Sequence, residues 1–295
     1  MPFLFAFLRA LLGRAVAGLG ALCVTLAVLG FTKLAGWALG LVMATKQLAA
    51  PRAQLPAEWR EIVTRNVHVV RGLTADERAR LERLMGIFLK DVHFEGCGGL
   101  DVTDDMKVEI AAEACLLLVN LRFPWYPKLR RVLVYPDTFV AKPMPGATTE
   151  RDKSPLLGEA WTNGSVVLSW RSASESLRRS ADGQNVVLHE FAHELDAGDG
   201  QMDGVPPLEG TDLATWAYVL HHHYARLLRF ARRGKPSTLD RYGATDEAEF
   251  FAVATEAFFE RPEVLKREEP ELYEALVQVY HQDPASRAAV GVGAA

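Results

Sequence analysis

His189, Glu190 and His193 stand in the run His-Glu-Phe-Ala-His, the segment of this chain best suited to reactive chemistry. Two histidines four apart lie one above the other on a helix, so both imidazoles can face one metal ion. Glu190 follows the first histidine directly, where its carboxylate reaches a water molecule beside that ion. Two nitrogen ligands, one general base, a third protein ligand and an open position make up the working set of a zinc peptidase.

Four carboxylates compete for the third ligand position. Asp199 lies ten residues after His189, but the sharp return this spacing needs calls for glycine where Asp196 stands, and Gly198 comes too late. Asp196 itself is close enough to His193 that a hydrogen bond to backbone or to a ligand imidazole suits it better. Glu249 and Glu256 are seven apart on a later apolar segment, so they share one helix face, and a buried acid there needs a partner such as a metal. Glu249 also stands three residues after Asp246, in helix-capping spacing. The residues themselves leave Glu249 and Glu256 equally placed.

The elements that carry these groups are marked by caps and periodicity. Asn185 is an N-cap before Val186, Val187 and Leu188, and Ala197-Gly198 offers a helix end. Val187, Phe191 and Leu195 form one apolar row of that helix, and Leu188, Ala192 and Leu195 another. Thr74-Ala75-Asp76-Glu77 is a capping box, and Thr103 opens a helix running to about Val119. Further helices are expected from about Leu213 to Arg232, Asp246 to Glu260 and Pro270 to about His281. Val132 to Tyr135 and Ser165 to Trp170 read as strands, the second placed to pair with an extended substrate. The fold expected is α+β, a mostly helical domain with a small β-sheet. His221-His222-His223 points three ways around its helix and reads as solvated surface. Cys97, in a glycine-rich loop, reads as a packed free thiol before it reads as a cap on the zinc.

The 295 residues carry a formal net charge of −4, which gives no electrostatic reason to expect nucleic-acid binding. Three cysteines show neither metal spacing nor a disulfide framework. Residues 1–48 differ in kind. Ala15 to Thr32 is uncharged and almost wholly apolar, about eighteen residues, which meets the lower limit for a membrane-spanning helix. The rivals are a cleaved signal peptide ending near Val42-Met43-Ala44 and a buried soluble helix. More positive residues follow the stretch than precede it, which favours an inner-membrane anchor with a cytoplasmic catalytic domain; a soluble cytoplasmic protein is the alternative. A linker at 49–56, a catalytic domain at 57–285 and a flexible tail at 286–295 complete the expected organisation.

His189 to His193, followed by Tyr242-Gly243-Ala244-Thr245 and Ala248-Glu249-Phe250-Phe251-Ala252, resembles the Mlc titration factor A family of zinc-dependent peptidases. Trp125-Tyr126-Pro127, Val132 to Pro136, Gly158-Glu159-Ala160-Trp161 and Val166 to Trp170 look like that family as well, so the resemblance runs from about Leu55 to Tyr280. The segment from Tyr242 to Phe251 is also similar to the catalytic domain of anthrax lethal factor. The resemblance implies a zincin-like domain binding one zinc ion, with Glu249 as third ligand beside His189 and His193. It implies Glu190 as general base, Tyr242 as the phenol that steadies the oxyanion, and Glu256 as a supporting residue. Its substrate would be a peptide or protein, and its partner a glucose-responsive transcriptional repressor of the Mlc type. Val253 departs from the broad pattern, because many such peptidases carry an acid four residues after the third ligand, so another residue must orient a ligand histidine.

Overall fold

The computed structural model describes residues 55–122, 125–137, 158–161, 164–178, 182–206 and 213–291. The expected N-terminal span lies outside the described residues, and among the described residues no helix is long and apolar enough to cross a membrane. Helices α1 (Ala57–Asn66) and α2 (Ala75–Asp91) lead to strand β1 (His93–Gly96), helix α3 (Asp104–Leu116) and strand β2 (Arg131–Tyr135). Strands β3 (Gly158–Trp161) and β4 (Ser165–Ser169) then run into helices α4 (Trp170–Arg178) and α5 (Val186–Asp196). Helices α6 (Leu213–Arg232), α7 (Glu247–Glu260), α8 (Pro262–Glu268), α9 (Pro270–Tyr280) and α10 (Pro284–Gly291) follow. The mostly helical α+β class expected from the sequence is thus observed, and α10 covers part of the stretch read as a tail.

The sheet has the order β1-β2-β4-β3. β1, β2 and β4 are parallel, with Val132 opposite Val166 and Val134 opposite Leu168, while β3 pairs antiparallel with β4. Parallel neighbours need a long crossover, and α3 supplies it between β1 and β2. β4 is hydrogen-bonded on both sides, so it offers no open edge to an extended substrate, contrary to its reading from position; the edge beside it belongs to β3. Trp170 also leaves the strand early and opens α4, where Ser169 Oγ accepts the Ser172 N–H at 3.2 Å.

Two helices are buried all round. α7 is buried from Ala248 to Glu260 and α3 from Val108 to Leu116, as expected for helices without a polar face. α5 lies between them and the sheet, packing on α3, α7, β3 and β4. Phe191 fixes its seat: the ring is fully buried, with Phe88 at 5.7 Å and Tyr126 at 5.2 Å between centroids. Burial of such a side chain contributes about 1.5–3 kcal/mol. Tyr126 is itself tied down, donating its hydroxyl to the Ala114 carbonyl of α3 at 2.7 Å.

Candidate metal centre

The N-terminus of α5 is set by Asn185, whose Oδ1 accepts the N–H groups of Val187 and Leu188 at 3.1 and 3.0 Å. From that cap, His189 and His193 fall on the face turned toward α7. The helix ends at Asp196, and a short turn carries the chain to Gly200, whose φ of 108° makes it the left-handed residue in place of the expected Gly198. Asp196 does bond backbone, accepting the Gly204 N–H at 2.9 Å, and burial pushes its carboxyl up to about 7.

His189 Nε2, His193 Nε2 and Glu249 Oε2 form a triangle with sides of 3.0, 3.2 and 3.3 Å. Ligand atoms about 2.0–2.1 Å from a tetrahedral ion are separated by about 3.3–3.4 Å, so the triangle is slightly tighter than one face of such a site and could hold an ion. The other nitrogen of His189, Nδ1, lies 2.8 Å from Glu256 Oε1. Glu256 therefore sits on the far side of the same imidazole: of the two acids, Glu249 reaches the point the histidines share and Glu256 the ring behind it.

Electrostatics favour a cation at that point. Burial alone would drive the His189 imidazole neutral, but hydrogen bonds to Glu249 and Glu256 outweigh it and hold the group well above its ordinary pKa. Glu249 resists the upward push of burial because His189 and His193 hold it far below the usual carboxylate range. A His189 proton on Nδ1, facing Glu256, would leave Nε2 and Glu249 Oε2 as two lone-pair bearers 3.0 Å apart. Either a second proton or a metal ion must lie between them, and a donor set of two imidazoles and one carboxylate suits a transition metal. Among the described residues, His189, His193 and Glu249 are the one group of potential ligands close enough to share an ion.

Glu190 is buried on the same helix, and its charge acts on His189. Tyr242 enters from the turn before α7. Its hydroxyl donates to Glu249 Oε1 at 3.4 Å and its ring stands 5.9 Å from that of His189, yet the residue is 42% exposed. It thus borders the centre on the solvent side. Asp240 shapes the turn, accepting the Tyr242 N–H at 2.8 Å and the Gln184 side-chain amide at 2.8 Å. Gly243 lets the turn close on α7, since an added Cβ would lie 3.2 Å from Val253 Cβ and 3.4 Å from Phe250 Cα. Val253 is apolar because it packs against this turn. Asp246 caps α7 by accepting the Glu249 N–H at 2.9 Å, which leaves the Glu249 side chain free to turn inward.

Other candidates fall outside the centre. Asp199 is exposed and accepts the Gln201 N–H at 2.9 Å. Cys97 is partly buried and belongs to no metal group among the described residues. Of the histidine tract, His221 and His222 are exposed as expected, whereas His223 is buried, with Nδ1 3.0 Å from Glu269 Oε2. Sequence reasoning passed over Asn185 as more than a cap, and passed over Glu113 and Glu260. Their signal was available: each is a polar residue inside an otherwise apolar helix or at its end.

Comparison with known proteins covers the segment that holds these residues. The family model described as glucose-regulated metallo-peptidase M90 matches residues 42–281. A Synechocystis protein, described as uncharacterized protein slr2042, is 37% identical over 235 residues, 78% of this chain and 86% of its own. Mlc titration factor A from Yersinia pestis is 32% identical over 248 residues, 80% of this chain and 88% of that protein, and Yersinia pseudotuberculosis has a counterpart equally similar.

Proposed function

The chain belongs to the glucose-regulated metallo-peptidase M90 family, and on that footing we propose that it hydrolyses peptide bonds with one zinc ion held by His189, His193 and Glu249. The observation that carries this reading is the triangle of donor atoms, spaced close to what a tetrahedral ion requires, with Glu190 next to His189 on the same helix. A zinc ion held there would supply Lewis acidity to a water molecule and to the scissile carbonyl. Glu190 takes the proton from the attacking water and passes it to the leaving amine. Tyr242 donates its hydroxyl to the oxyanion, and its exposure allows it to swing from Glu249 to the substrate as the tetrahedral species forms. Burial of His193, Glu190 and Glu249 keeps bulk water from competing for these bonds.

Glu190→Gln tests the proposal. The variant should take up as much zinc as the wild type in metal analysis, while cleavage of a peptide library falls about 10²–10⁴-fold. Undiminished cleavage by that variant would remove Glu190 from the mechanism, and a wild-type protein that takes up no zinc would remove the metal. A second reading is favoured by the name of the Yersinia relatives: the chain binds a transcriptional repressor of the Mlc type and acts by holding it. Repressor capture that persists in Glu190→Gln would assign that role to a surface independent of hydrolysis.

A further inference from the structure

A buried polar chain runs outward from His189 and involves groups that never touch the proposed ion. Glu256 Oε1 meets His189 Nδ1 at 2.8 Å, and its Oε2 accepts the backbone N–H of Asn185. The Asn185 side chain then gives one amide hydrogen to Glu113 Oε1 at 2.7 Å and the other to Glu260 Oε1 at 2.9 Å. Glu260 Oε2 is paired in turn with His68 Nε2 at 2.7 Å. Asn185, Glu113, Glu256 and Glu260 are all buried.

The side-chain chemistry of Asn185 is fully used. An asparagine amide offers two donors and a carbonyl oxygen with two lone pairs. Here the oxygen takes two helix N–H groups and the nitrogen serves two carboxylates. Aspartate or serine would cap the helix as well. Neither could also supply two hydrogens to Glu113 and Glu260. The choice of asparagine therefore answers to the acids as much as to the helix.

We propose that Glu256 and Asn185 are positioning residues of the metal centre: Glu256 keeps the His189 proton on Nδ1, leaving Nε2 a lone pair for the ion, and Asn185 holds Glu256 through its backbone N–H, which its side-chain bonds to Glu113 and Glu260 anchor in place. This rests on the metallopeptidase reading, and it assigns the orienting role that Val253 cannot fill. Glutamine at 256 would fail on chemical grounds. If its amide nitrogen faced His189, the proton would be driven to Nε2. If its oxygen faced His189, its nitrogen would confront the Asn185 N–H, donor against donor.

The test is zinc affinity of the full chain, by competition with a chromophoric chelator, set beside the melting temperature of the zinc-free protein. Loss of such an outer partner typically weakens metal binding about 10–100-fold. Glu256→Gln should show a loss of that size with a zinc-free melting temperature close to wild type. Asn185→Ser, which keeps an oxygen for the cap, should weaken binding at least about threefold. Should Glu256→Gln fail to fold, Asn185→Ser decides alone. Wild-type zinc affinity in the folded variants overturns the proposal, as does a loss that merely tracks falling melting temperature. A wild-type chain that binds no zinc removes the metal reading, and the positioning role falls with it.

Discussion

Tyr242 is the residue on which geometry and chemistry bear most directly. Its hydroxyl reaches Glu249 without belonging to the metal triangle, and its ring lies against His189 at the open side of the centre. In the proposed mechanism Tyr242→Phe loses one oxyanion donor and should lower kcat about 10²-fold, with KM and bound zinc little changed. Steady-state kinetics with parallel metal analysis decides this; an equal loss of zinc would make the phenol a structural prop of Glu249 instead. At this scale the His-Glu-Phe-Ala-His run was legible because helical period alone aligns His189 with His193. The third donor was not. Glu249 and Glu256 share a face, and the choice between them depends on how far one helix is offset along the other, which no local spacing encodes.

Helices with strong end signals were legible as elements: the Thr74 capping box, the Asn185 cap and the Asp246 cap all open helices in the structure. β1 and β3 were missed, each only four residues long. So were α8 and α10, although Pro262 and Pro284 at their starts are residues favoured in a first helical turn. The turn between α6 and α7 was legible only through family resemblance, and packing explains its sequence. Gly243 is where the turn touches α7, so in Gly243→Ala the turn, Leu227 or Val253 must give by a few tenths of an ångström. The expected cost is about 1–3 kcal/mol of stability. Because Tyr242 is the next residue, kcat should also fall about tenfold or more while zinc is retained. Unchanged kcat in a destabilised variant would separate the turn's packing from the placement of the phenol.

Across the whole molecule, three buried helices meet at their acids. α7 brings Glu249, Glu256 and Glu260, α3 brings Glu113, and α5 answers with His193, His189 and Asn185. Burial, reinforced by Glu260, pushes the Glu113 carboxyl up to about 8 against the hydrogen bond from Asn185. The fold thus holds this proton more tightly than the unfolded chain does. The stability Glu113 contributes is complete below the ordinary carboxylate range and is lost as pH rises through about 8. Glu113→Gln removes that titration. Between pH 6 and pH 9 its melting temperature should gain on wild type by a few degrees, a gap that scanning calorimetry across the series would reveal or deny.

The same meeting of helices has a mechanical corollary. The acids of α7 rise at intervals of seven and four residues and engage α5 at His193, His189 and Asn185 in order. One helical turn spans 5.4 Å, far beyond the reach of any hydrogen bond in the set. A slip of α7 along α5 by a single turn would bring Glu256 opposite Asn185 or Glu260 opposite His189, but would put Thr245 or Val253 where Glu249 meets His193. The pairing can catch in part at a neighbouring notch, but the triangle of donor atoms exists at one register alone.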